Sequence, residues 1–398
     1  MDHDFWWGVT SSSVQAEGVA AAADWSRWER DERVPRSGDG AGFGIDFRDD
    51  LALLAGLGLS HVRLTVEWAR LEPTKGKLDT DELDRYVDVL RAARSAGITP
   101  IVTLHSTTLP GWFHDDEGGF RDERGRGYLW ARHVDRCAET FDGLAGGWVG
   151  VDDPIGWAVR AHLLGSRPPG NTDPARAMEF VEGALEADRI AADILRGGDA
   201  PVISAFAVPT IFPVGPDAGP KAQWWDDLFW SSWIGAIRDG ELCLPGIAPR
   251  PAPELVACHD IVGFSTSHPL GVDPEGRLVP YPTGARRDDT GFAPTPEETG
   301  VALRRLADAL PRRPLAIVGN GVSTTDDDWR DELLRETLGE IDRALDDGVP
   351  LVGYLYDTGI DGYEWHRGFT SQRGLVGRDR EPKPSADRLS TAARRQRG

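Results

Sequence analysis

The chain has 398 residues, with 65 acidic side chains against 44 basic ones and a formal net charge of -21. That balance opposes nucleic acid or an anionic membrane surface and suits a neutral or cationic small partner. No apolar run approaches the ~18 residues of a membrane span, and no basic n-region precedes an apolar stretch at the start, so a soluble, cytoplasmic protein is expected.

In chain order, short apolar runs near 5–9, 61–66, 99–104, 147–151, 201–207, 260–265, 314–318 and 351–356 predict strands. The stretches between them have helical spacing. Leu83, Tyr86, Val87 and Leu90 recur at i, i+3, i+4 and i+7, as do Leu303, Leu306, Ala307 and Leu310. This alternation is that of β/α units and predicts an α/β fold, a (β/α)8 TIM barrel. No Pro/Ser-rich linker divides the chain, so one domain over 1–398 is expected. A barrel takes about 250 residues, which leaves roughly 150 for extended βα loops that build a site. The Pro-, Gly- and Asp-rich segment 266–295 reads as a long loop bordering that site. Asp326-Asp327-Asp328 reads as an acidic helix start, with a metal site from the same aspartates as the weaker reading. Cys137, Cys243 and Cys258 are unclustered, which signals buried reduced thiols and neither a disulfide framework nor a zinc site; no metal or cofactor is expected.

Several motifs carry a resemblance. Phe5-Trp6-Trp7-Gly8-Val9-Thr10, followed by a small-residue turn and Gln15-Ala16-Glu17-Gly18, resembles the N-terminal signature of glycoside hydrolase family 1. His61 to Pro73, with Arg63 and Trp68-Ala69-Arg70, resembles that family's second strand. Thr103 to Pro110 resembles its third strand end, Gly362-Tyr363-Glu364-Trp365 its sugar-binding loop after the eighth strand, and Lys383-Pro384-Ser385 its closing motif. The resemblance spans residue 5 to about 390 and implies a barrel glycosidase acting on a glycoside or other sugar-like small molecule.

The departures from that family are chemically specific. Retaining hydrolysis needs two carboxyl groups about 5–5.5 Å apart, an acid and a nucleophile. The family's glutamates sit in Asn-Glu-Pro after strand four and Glu-Asn-Gly after strand seven, whereas this chain has Asp152-Asp153-Pro154 and Gly319-Asn320-Gly321. Asp153 keeps a proton donor whose carboxyl sits about 1.5 Å farther back, while Gly319 cannot attack an anomeric carbon. Asp152 can only accept where asparagine would donate. Anchoring on Leu109-Pro110 puts Ser106 at the family's sugar-binding histidine, and a shift of one residue would put His105 there. Ser265-Thr266-Ser267 replaces Asn-Tyr-Tyr, and Asp357 stands where a tryptophan platform is expected. The resemblance implies sugar-binding roles for Gln15, Arg63, Asn320, Glu364 and Trp365, although Gln15 and Glu364 also fit the plainer role of satisfying backbone groups at strand ends and Asp153 before proline also fits a turn.

Three functions follow. The first is a divergent enzyme acting without a covalent glycosyl-enzyme, with Asp153 as acid/base and Asp357 or Asp152 orienting water. The second is a catalytically inactive protein that binds a sugar or similar small molecule. The third is a conventional β-glycoside hydrolase with a recruited carboxylate.

Overall fold

The computed structural model describes residues 5–395. Its eight core strands are β1 (Trp6–Thr10), β2 (His61–Thr65), β3 (Thr99–His105), β4 (Gly147–Val151), β5 (Phe206–Ala207), β6 (Val262–Ser265), β7 (Leu315–Asn320) and β8 (Leu351–Asp357). They form one parallel sheet in the order β4-β3-β2-β1-β8-β7-β6-β5. The two ends of that order meet: Trp148 N donates to Pro201 O at 2.9 Å and Ile203 N to Trp148 O at 2.8 Å. The sheet is therefore curled into the expected barrel. The fifth strand departs from the expected 201–207, because Val202 and Ile203 make only isolated bridges before the short ladder at 206–207.

Parallel strands are covered on both faces and so read as nearly continuous apolar runs. Ile101, Val149, Ile203, Ala316, Val318 and Leu355 pack together as one cluster from β3 through β8, filling the barrel axis. Val62, Leu64, Val102, Leu104 and Ile317 belong instead to the larger core between the strands and the helices. Several of those helices begin on aspartate caps. Asp79 accepts from Asp81 N and Glu82 N at 3.1 Å before α1 (Thr80–Ser95), and Asp173 accepts from Ala175 N at 3.0 Å before α3 (Pro174–Leu195), which follows α2 (Pro154–His162). Asp326 accepts from Trp329 N at 3.1 Å before α4 (Asp327–Asp346), so the acidic run is a helix start as expected, and no metal-holding cluster occurs among the described residues. The segment 266–295 is not all loop: Leu270–Val272 and Leu278–Pro280 join Ile211–Pro213 in a three-stranded sheet beside the barrel mouth. All three cysteines are free; Cys137 and Cys258 are buried, but Cys243 is half-exposed, contrary to expectation. Among the described residues no helix is long and apolar enough to cross a membrane.

Near the barrel seam, a side chain replaces strand pairing. Asp188 on α3 accepts from Val151 N through Oδ1 at 3.0 Å, and its Oδ2 lies 2.9 Å from His259 Nε2, with Cys258 Sγ 3.2 Å from Nδ1. Burial opposes charge on His259, but Cys258 and Asp188 outweigh it and raise its pKa from 6.5 to about 10. A raised histidine pKa contributes stability that is complete below the unfolded value and lost as pH rises through the folded one. Urea unfolding free energy is therefore expected to fall between pH 6.5 and about 10. His259→Gln should flatten this slope, and equal slopes in the two proteins would show that the imidazole is not charged in the fold.

Candidate active site

The C-terminal strand ends open into a cleft of about 500 Å³. A larger open hollow of about 790 Å³ lies among Arg121, Arg124 and Glu179 on the outer surface, but it includes no strand terminus. Catalytic groups of a barrel come from strand ends, so the rim cleft is the candidate site.

Asp152 follows β4 directly and faces Arg63 of β2. Arg63 Nη1 is 3.0 Å from Oδ1, Nη2 donates to Oδ2 at 3.2 Å, and Nε donates to Thr10 Oγ1 at 2.8 Å. The pair ties the rims of β1, β2 and β4 together. Ser106 also reaches Asp152 Oδ2, at 3.4 Å.

Asp153 has φ 49, a left-handed conformation that aspartate tolerates better than most side chains. It caps α2: Oδ1 accepts from Gly156 N and from Ala207 N, both at 3.2 Å, and Oδ2 accepts from Arg160 Nη2 at 2.9 Å. A Cβ at Gly156 would stand 2.0 Å from that carboxylate, so glycine is what lets Asp153 lie over the helix end. The turn role anticipated for Asp-Pro is the one this geometry displays. Before Asp153 carried a proton to a ligand, it would have to give up Arg160.

Asp357 closes β8 and is paired with Arg373, whose Nε lies 2.9 Å from Oδ2 and whose Nη1 donates to Ser323 Oγ at 3.2 Å. Thus Asp152, Asp153 and Asp357 converge on one cleft, each beside its own guanidinium. Opposite them, Gly319 lies in β7 just past a ladder irregularity, with no side chain to offer. A Cβ there would meet Ser265 Cβ at 3.4 Å and Thr10 Cγ2 at 4.0 Å, ordinary contact distances. Neither space nor backbone requires glycine at this position.

The remaining expected residues divide. Asn320 lines the cleft with its amide already engaged, accepting from Tyr354 Oη at 2.9 Å and donating to Thr266 O at 2.5 Å. Gln15 lines it too, accepting from Ser12 Oγ at 2.7 Å and donating to Glu364 Oε1 at 3.1 Å. Glu364 does not line the cleft but stands behind Gln15, where burial raises its pKa to about 7 against the lowering effect of Arg373. Trp365 lines the wall. Ser106 is in the cleft, whereas His105 is not: its ring packs edge-on between Phe120 and Trp157, neither nitrogen has a hydrogen-bond partner among the described residues, and burial lowers its pKa to about 3. His105 is therefore removed from the substrate-binding set, because its ring belongs to the aromatic core behind β3.

A profile of glycosyl hydrolase family 1 matches residues 1–221 and 282–395. The chain belongs to glycosyl hydrolase family 1. It is similar to beta-glucosidase A of Thermotoga maritima, 23% identical over 415 residues that cover 94% of this chain and 92% of that one. The beta-glycosidase from Pyrococcus horikoshii shares the fold at a TM-score of 0.89 and 27% identity, covering 100% of this chain and 95% of that one. A family 1 β-glucosidase from Thermotoga maritima in complex with isofagomine lactam has the same TM-score of 0.89 at 21% identity, covering 100% of this chain and 99% of that one.

For a family 1 chain, the cleft holds residues that the motifs did not single out. Arg160, Arg167 and Arg373 line it, as does His268, which stacks on Phe292 at 4.4 Å and whose pKa burial lowers to about 4. Only Arg160 left a signal in the sequence, since it lies seven residues beyond an aspartate that starts a helix and so two turns along the same face.

Three substitutions test these contacts through stability. Asp153→Ala removes a helix cap and should cost about 1–2 kcal/mol in urea unfolding, whereas an unchanged midpoint would mean that the cap is not formed. Gly319→Ala should shift stability by less than about 0.5 kcal/mol. Gly263→Ala should be strongly destabilised, because its Cβ would meet Ser204 O at 2.0 Å. Similar losses at both glycines would contradict the open space at 319.

Proposed function

We propose that this family 1 chain binds a sugar-like small molecule in the rim cleft and does not cleave it through a covalent glycosyl-enzyme. One observation carries the reading: every carboxylate lining the cleft is beside an arginine, and the next-to-last position of β7 is glycine. A nucleophile needs a free lone pair aimed at the anomeric carbon, and Gly319 has no functional group at all. An acid needs a proton within reach of the leaving oxygen, and the oxygens of Asp153 face Gly156 N, Ala207 N and Arg160. The cleft volume of about 500 Å³ suits a mono- or disaccharide-sized ligand.

The binding site itself is polar and pre-shaped. Ser106, Gln15, Asn320 and the Trp365 ring supply hydrogen-bonding edges and a flat apolar face. Family 1 relatives named β-glucosidases motivate the sugar-like ligand class.

A second reading retains turnover without a covalent intermediate, with Asp153 as acid once a ligand displaces Arg160 and with Asp357 or Asp152 orienting water. It is favoured by the exposure of Arg160, whose side chain is 39% accessible and so free to leave. A conventional hydrolase would need a carboxylate recruited from outside the lining set.

Two assays on one preparation separate these readings. Calorimetry against monosaccharides and alkyl β-glycosides should give saturable heat, while an activated aryl β-glycoside should release aglycone no faster than in buffer. Saturable release that survives Asp153→Ala would favour a recruited carboxylate. Release abolished by that substitution would favour the non-covalent enzyme, and no heat across the panel would remove the binding reading.

A further inference from the structure

We propose that the ligand of this cleft carries an anionic group, a carboxylate or a phosphate, seated on Arg167; this rests on the binding reading above and narrows its ligand class. The ionised groups lining the cleft do not balance. Four arginines, Arg63, Arg160, Arg167 and Arg373, face three aspartates, Asp152, Asp153 and Asp357, and His268 is neutral at pH 7 because burial holds its pKa near 4. Three arginines have a carboxylate within 3.0 Å. Arg167 has none among the described residues.

The unpaired guanidinium is also partly shut away from water. Arg167 Nε and Nη1 are buried without a hydrogen-bond partner among the described residues, and burial together with Arg160 pulls its pKa down to about 9. Its guanidinium carbon lies 3.9 Å from the Trp365 ring centre and 5.0 Å from that of Trp25. The cation sits in the corner between two indoles set at 85° to each other, which confines it on two sides, and cation–π attraction offsets part of the cost of burial. It leaves the N–H donors unsatisfied, because ring faces take the cation and not the hydrogens at its edge. A planar, pre-oriented fork with free N–H groups is suited to an oxyanion, which it binds through paired charge-assisted hydrogen bonds.

Glu364 supplies only part of the missing counter-charge: its field raises the Arg167 pKa without overcoming burial. Among the described residues no oxygen of Glu364 accepts from Arg167, Oε1 instead accepts from Gln15, and with a pKa of about 7 the group is only part-ionised at neutral pH. The whole chain bears -21 charges, so its far field repels anions. Salt screens that field beyond about 8–10 Å, and the partner's charge is then decided by the lining. This reverses the neutral or cationic partner that net charge alone suggests.

The test uses the full chain and three matched probes in calorimetry: methyl β-glucoside, methyl β-glucuronide and the 6-phosphate of methyl β-glucoside. At least one anionic probe should bind about 10-fold or more tighter than the neutral one, the gain of one charge-assisted hydrogen bond. Which anion gains more distinguishes carboxylate from phosphate. In Arg167→Met that preference should vanish while neutral affinity changes by less than about 3-fold, and Arg167→Lys should recover part of it. Raising ionic strength on the unmodified protein should shrink the preference, a readout that does not depend on any variant folding.

Binding of the neutral probe with no anionic gain overturns this inference and leaves the binding reading intact. If Arg167 merely braces Trp365, Arg167→Met weakens all probes alike with the preference unchanged, which also overturns it. Absence of heat from every probe removes the binding reading and this inference with it.

Discussion

Three arginine–aspartate pairs hold the mouth of this barrel: Arg63 with Asp152, Arg160 with Asp153 and Arg373 with Asp357. Each aspartate stands at or just past a strand end, where a barrel enzyme would carry its reacting groups. Isolated acids collected there would repel one another and lose hydration. Arginines drawn from a second strand, a helix and a distal loop make the arrangement stable. The same contacts occupy the oxygens that chemistry would need.

The consequences run through the whole rim. Arg63 stitches β1, β2 and β4 through Thr10 and Asp152. Asp153 ties the start of α2 to β5 through Ala207 N, and Arg373 binds the segment after β8 back onto Asp357 and Ser323. Breaking a partly buried pair by deleting one partner costs more than the pair contributes, because it strands the other charge. The mouth is therefore a charge-paired polar frame around an open position at Gly319. Recognition in such a frame depends on what remains unsatisfied, and the conspicuous unsatisfied group is the Arg167 guanidinium.

Much of the fold could be read from the sequence, because parallel strands covered on both faces appear as apolar runs and aspartates before amphipathic stretches cap real helices. β5 was harder. Its stretch pairs by isolated bridges at Val202 and Ile203 and by a two-residue ladder, while Asp188 takes the place of a strand partner at Val151, and periodicity cannot register a side chain that substitutes for backbone. The same distinction divides the site. Gly319, Asp152 and Asp153 were legible because motifs fix them against neighbouring residues. The leucine–proline anchor placed Ser106 in the cleft, and His105 is excluded by an aromatic packing that no local pattern records. Arg63 is 89 residues from Asp152, and Arg373 comes from a loop with no motif, so those pairings exist only in three dimensions.

The central claim is that no carboxylate in this cleft attacks an anomeric carbon. Intact-protein mass spectrometry after incubation with an activated 2-deoxy-2-fluoro-β-glycoside tests it directly, since the fluorine slows breakdown of any glycosyl-enzyme enough for it to accumulate. The account predicts an unshifted mass at saturating probe. A stoichiometric adduct mapped to an aspartate or glutamate of the barrel rim would contradict it.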